Sequence, residues 1–104
     1  MARGGITVDH RPEGTHDTLI VRGELDFTSA DVLRDRITAV QGNSARIVLD
    51  LSGVEYIDST GLAQLVWAHS EARFKNWTLA IVNPSEQVRF YIERTGLDQV
   101  LPVE

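Results

Sequence analysis

The sequence predicts an α/β fold, with a mostly parallel four-stranded sheet, one antiparallel edge strand and helices packed on it. Three observations predict it. Short runs rich in β-branched residues alternate with stretches of helical periodicity. A turn cluster, "PEGTHD" at 12–17, separates the first two runs so closely that they read as a hairpin. The apolar runs at 45–51 and 77–82 are continuous rather than alternating, as suits strands covered on both faces in a parallel sheet. Strand–helix–strand connections of this kind are right-handed crossovers, which keep successive strands parallel.

Each element has a local reason. "GITVDHR" (5–11) and "TLIVRGEL" (18–25) form the hairpin. "FTSADVLRDRITAV" (27–40) is the first helix, with Thr28 as its cap, Asp31 in its first turn and Gly42 as its stop. Its apolar positions Ala30, Leu33, Ile37 and Val40 recur at helical spacing. "ARIVLDL" (45–51) is a buried strand, and "SGVEY" (52–56) is a turn leading to "IDSTGL" (57–62). A second helix runs from Ser59 to about Phe74 on the apolar set Leu62, Leu65, Val66 and Ala72, with Arg73 and Lys75 near its end. "WTLAIV" (77–82) is the last strand. "NPSEQVRFYIERTGL" (83–97) is a third helix, with Pro84 near its start, Val88, Tyr91 and Ile92 on its inner side and Gly96 ending it. "LDQVLPVE" (97–104) packs a short final turn.

A chain of 104 residues fits one small domain, 1–104, and 42% hydrophobic residues are enough for one core. The absence of cysteine excludes disulfides, thiolate catalysis and cysteine metal sites. A net charge of −5, without a Lys/Arg block, argues against nucleic acid or an anionic membrane as the main partner. The opening "MARGGITVDHR" lacks a signal-peptide core, and no apolar run approaches the roughly 20 residues of a spanning helix. A cytoplasmic protein is therefore expected, and "NWT" at 76–78 carries no weight as a glycosylation site.

The chemical inventory is thin. His10, His16 and His69 form no metal-ligand spacing and pair with no nucleophile in sequence, so they read as surface or core-edge residues. The glycines make no dinucleotide or phosphate-loop signature. Trp67 and Trp77 read as core or core-edge aromatics. Glu24 and Asp26 fall in a strand-to-helix loop, where solvated charge is the ordinary state. Four strands in so short a chain leave little room for a deep pocket. No metal, no cofactor and no catalytic residue are expected.

"IDSTGL" stands apart because of its place. A chain leaving a parallel strand and turning into a helix exposes that turn at the C-terminal edge of the sheet, where α/β proteins carry their sites. Two readings of the Ser59 hydroxyl are open. It caps the helix, a contribution of about 1 kcal/mol, or it accepts a phosphate. A phosphate there would meet the free N–H groups and the positive end of the helix, and Asp58 beside it would concentrate negative charge.

With these residues in view, the chain resembles the anti-sigma factor antagonists of the STAS domain family over nearly its whole length. "VRGELDFTSADVLRDRI" is similar to the family's strand-to-helix segment, "IVLDLSGVEYIDSTGLAQLV" to its phosphorylation-site segment, and "LAIVNPSEQVRFYIERTGLDQVL" to its closing strand and helix. Phe27 and the pair Asn76–Trp77 stand where the family more often has aliphatic residues and glycine. The resemblance implies a small STAS-like domain that is not an enzyme. Its unmodified form binds an anti-sigma factor that is also a serine kinase with a Mg·ATP site, and this binding releases the sigma factor. Phosphorylation of Ser59, with Thr60 the second candidate, ends the binding until a phosphatase restores the hydroxyl. The implied partner-facing residues are Asp26, Thr28, Asp58, Ser59, Thr60 and Gly61, on a monomer. Two other roles within the family stay open: a scaffold STAS protein of a regulatory assembly, and the small STAS subunit of a lipid-transporting ATPase.

Overall fold

The computed structural model describes residues 5–104. Its elements are β1 (Ile6–Pro12), β2 (His16–Leu25), α1 (Ala30–Val40), β3 (Arg46–Ile57), α2 (Ser59–Lys75), β4 (Thr78–Val82) and α3 (Glu86–Arg94), followed by a 3₁₀ turn at Leu97–Gln99. The sheet order is β1-β2-β3-β4. β1 pairs antiparallel with β2, and β2–β3 and β3–β4 are parallel. The predicted order of elements and the antiparallel edge strand are both present.

The core forms where the strands meet α1 and α2. Leu19, Val21, Ile47, Leu49 and Ile81 from the sheet are fully buried with Leu33, Ile37 and Leu65 from the helices. α1 packs beside α2, and α3 lies against β3. The inner stripe of α1 is the expected Ala30, Leu33, Ile37 and Val40. That of α2 is Gly61, Leu62, Leu65, Ala68 and Ala72, with Val66 only packed against its margin. Trp77 is buried and donates its indole N–H to Gln41 Oε1 at 3.0 Å, which joins the end of α1 to the start of β4.

Four local expectations are corrected. β3 does not end at Leu51: "SGVEY" continues it to Ile57, paired with β2 through two register shifts that absorb the extra length. Burial along β3 alternates at its start, with Ile47, Leu49 and Leu51 buried and Arg46, Val48 and Asp50 half-buried, so only one face is fully covered there. The cap of α1 is Ser29, not Thr28, because a tight turn in which Ser29 and Ala30 both donate to the Asp26 carbonyl delays the helix by one residue. In α3 only Val88 and Ile92 are buried; Tyr91 faces out and meets Phe90 edge-on at 5.7 Å. Asn76, at a position where glycine was expected, takes the left-handed conformation that closes α2 (φ 66°), which asparagine tolerates better than most residues.

Candidate functional site

The turn from β3 into α2 is organised by Asp58. It is the N-cap of α2, and its Oδ1 accepts the Gly61 N–H at 3.0 Å. Its backbone N–H donates to the Leu25 carbonyl at 3.3 Å, and its Oδ2 accepts the Phe27 N–H at 3.2 Å. One side chain therefore caps a helix and ties that helix to the loop after β2. Gly61 makes the approach possible. A Cβ at that position would lie 2.2 Å from the Leu25 carbonyl oxygen and 2.9 Å from Ile57 Cγ1. The position therefore needs glycine for close packing of the helix start against β2.

The loop after β2 is locked from within. Asp26 is 1% exposed, not solvated as its loop position suggested. Its Oδ1 accepts the Thr28 N–H at 3.0 Å and the Thr28 hydroxyl at 2.6 Å, and the Ser29 hydroxyl oxygen lies 3.3 Å away. Ser29 is buried too, and its hydroxyl donates to the Glu24 carbonyl at 2.5 Å. Burial of a carboxylate is tolerated here because N–H and O–H donors surround it. Thr28, though exposed, spends its hydroxyl on Asp26. Asp26 and Thr28 thus set the shape of the loop. The Ser29 contribution was missed by sequence reasoning; the Asp-x-Thr-Ser spacing, a self-bonding turn pattern, is the signal that carries it.

Ser59 is the first residue of α2 and is exposed. Among the described residues its hydroxyl makes no hydrogen bond, and the capping role belongs to Asp58. Thr60 is half-buried. The structure brings Asp26, Thr28, Asp58, Ser59, Thr60 and Gly61 into one connected pair of turns, in which Ser59 alone presents an uncommitted, exposed hydroxyl.

Other chemistry lies elsewhere. His10 Nε2 meets Asp17 Oδ1 at 2.6 Å, and Asp17 Oδ2 accepts the Ser44 hydroxyl at 2.5 Å. This network joins β1, β2 and the segment before β3, and it is held in place by Asp17, which is buried. The Ser44 hydrogen bond, then the His10 contact, hold the Asp17 carboxyl below its ordinary value of 3.8. A groove of about 490 Å³ lined by Thr38, Gln41, Lys75 and Trp77 opens where β3 and β4 begin, at the opposite end of the sheet from Ser59. No group of three His, Cys, Asp or Glu side chains that could hold a metal occurs among the described residues. No helix among them is long and apolar enough to cross a membrane.

The turn that presents Ser59 lies inside a recognised sequence family. A profile of the STAS domain matches residues 11–104. The chain belongs to the STAS domain family. Among its STAS relatives, the anti-sigma-B factor antagonist of Bacillus subtilis (strain 168) is 29% identical over 98 residues, 94% of this chain and 90% of the relative. The crystal structure of an anti-sigma factor antagonist from Mycobacterium paratuberculosis superposes with a TM-score of 0.84 at 30% identity, covering 94% of this chain and 84% of that one. The anti-sigma factor antagonist SpoIIAA in its unphosphorylated form shares the fold, with a TM-score of 0.77 at 21% identity over 94% of this chain and 86% of its own.

Proposed function

We propose that this STAS domain is an anti-sigma factor antagonist switched by phosphorylation at Ser59. The observation that carries the proposal is the exposed, unbonded Ser59 hydroxyl at the first position of α2, with Asp58 already serving as cap. Relatives named as antagonists of anti-sigma factors, at 29% and 30% identity over nearly the whole chain, support it. The unmodified domain binds an anti-sigma factor with serine kinase activity, and the sigma factor is released. The kinase transfers the γ-phosphoryl group of ATP to Ser59 Oγ; the hydroxyl proton is lost and ADP leaves. The phosphate carries close to two negative charges at neutral pH. It stands next to Asp58, so a partner closing over the turn must cover unpaired negative charge, and the complex separates. A phosphatase resets the hydroxyl. The domain acts in the cytoplasm as a monomer, catalyses nothing itself, and needs no cofactor.

The test uses the Ser59→Ala chain, immobilised, to retain the kinase from a lysate of the native cell. The kinase is then purified and mixed with the wild-type chain and Mg·ATP, and the phosphate is mapped. Phosphate on Ser59 is expected. Phosphate on Thr60 or elsewhere with Ser59 bare, or no phosphate at all, defeats the proposal. ATP with the domain alone should stay intact.

A further inference from the structure

We propose that the Phe27 ring is the apolar anchor by which the kinase holds this domain, seated in an apolar pocket beside the kinase's active site. The inference rests on Ser59 being the phosphoacceptor. Phe27 is 74% exposed, although Leu25, Asp26 and Ser29 around it are buried. A lone exposed aromatic is ordinary; what sets this one apart is how it is held and what it is tied to. Its N–H is bound by Asp58 Oδ2 at 3.2 Å. On one side lies buried Asp26, and on the other Thr28, whose N–H and hydroxyl both bond Asp26 Oδ1. The backbone is therefore fixed on both sides of the ring. On a fixed backbone the ring has only its two side-chain torsions to order on binding, so it offers a large contact area at low cost, which is the profile of an interface hot spot.

The tie to the reaction runs through Asp58, which adjoins Ser59 in the chain and holds Phe27 by its carboxylate. A kinase must bring a phosphoryl donor to about 3–3.5 Å from the Ser59 oxygen. A protein surface that close also covers the segment attached to Asp58. Within this area Asp26 is buried, and each Asp58 oxygen already accepts an N–H. The large uncommitted group left for the partner is the Phe27 ring, and an apolar ring selects an apolar pocket. The other strongly exposed phenylalanines, Phe74 and Phe90, sit at the far end of α2 and on α3.

The experiment titrates wild type, Phe27→Ala and Phe27→Leu against the purified kinase and follows phosphorylation of each. Phe27→Ala should raise Kd about thirtyfold, a hot-spot-sized loss. Its KM for phosphorylation should rise in parallel while kcat stays near that of wild type, because the ring is gripped equally before and during transfer. Phe27→Leu should recover most of the affinity. Unfolding midpoints of all three should agree, since the ring is exposed. If Phe27→Ala binds and reacts as wild type does, or if the leucine variant loses as much as the alanine variant, the anchor is overturned and Ser59 remains the acceptor. A wild-type domain that the kinase neither binds nor modifies overturns the Ser59 assignment, and the anchor with it.

Discussion

Asp58 accepts the backbone N–H of Phe27 at 3.2 Å, across 31 positions of sequence. The same carboxylate caps α2 through Gly61. The turn that presents Ser59 and the loop that contains Asp26 are therefore one mechanical unit, not two neighbouring loops. Whatever displaces one must displace the other.

That double use makes Asp58 a stability residue, whatever its part in binding. Asp58→Ala removes the cap and leaves two N–H groups without their acceptor, a loss of about 2–3 kcal/mol. Asp58→Asn keeps an N-cap oxygen but turns an NH₂ group toward the second N–H, so about half the loss should remain. Urea unfolding of the three chains gives the order wild type, Asn, Ala. An alanine variant as stable as wild type would mean that the two turns are held together by other contacts.

Gly61→Ala should be more damaging than its chemistry suggests. The added methyl would overlap the Leu25 carbonyl oxygen, a backbone atom that cannot rotate away. Relief requires α2 to back off from β2, at a cost of about 3 kcal/mol or more. The measurement is the unfolding midpoint, supported by amide exchange at Asp58, whose N–H bonds the same carbonyl. A midpoint within error of wild type would show that the helix start has slack.

The frame of this molecule was legible because periodicity reports burial, and burial defines the elements. The α1 stripe of Ala30, Leu33, Ile37 and Val40 is a direct case. What failed was local and polar. Asp26 read as solvated because loop acids usually are; its burial depends on the N–H and hydroxyl of Thr28, which only the folded turn brings to it. Thr28 read as a cap because the sequence offers two adjacent hydroxyl residues, and the Asp26 turn decides between them. The extension of β3 through "SGVEY" was hidden because serine and glycine signal turns, whereas here pairing with β2 continues past Gly53. At the β3–α2 turn, the sequence left open whether the Ser59 hydroxyl caps the helix, and only the Asp58–Gly61 bond shows that it does not.

The His10–Asp17–Ser44 network predicts a particular acid response. The Ser44 hydrogen bond and then His10 lower the folded Asp17 pKa below 3.8. Above the ordinary value the carboxylate is charged in both states and its full stabilising contribution is present. As pH falls below about 4, the unfolded chain binds the proton first and the contribution is lost. Asp17→Asn should therefore be less stable than wild type at pH 6, with the gap closing toward pH 3. Urea titrations of both chains across that range measure it. A gap that is constant with pH would mean that packing at this buried position, not charge, accounts for the loss.

The switch itself is tested by two substitutions at one position. Ser59 is exposed, its hydroxyl forms no hydrogen bond among the described residues and it is not the cap, so Ser59→Ala should fold with stability within about 0.5 kcal/mol of wild type. It should bind the kinase persistently, having no hydroxyl to modify. Ser59→Asp should fold as well, because a carboxylate in the first turn of a helix meets the positive end of its dipole. Its binding should nevertheless be weaker. The new charge stands beside Asp58, and a partner closing over the turn would have to desolvate it without a counter-charge, at a cost of several kcal/mol. A loss of about a hundredfold in affinity is the expected scale. The phosphate, carrying more charge than a carboxylate, should weaken binding further. Titration of the Ala, Asp and phosphorylated forms against the kinase should give affinities falling in that order. Equal affinity for Ala and Asp would place the turn outside the interface, and charge repulsion would then not be the mechanism, even with phosphate mapped to Ser59.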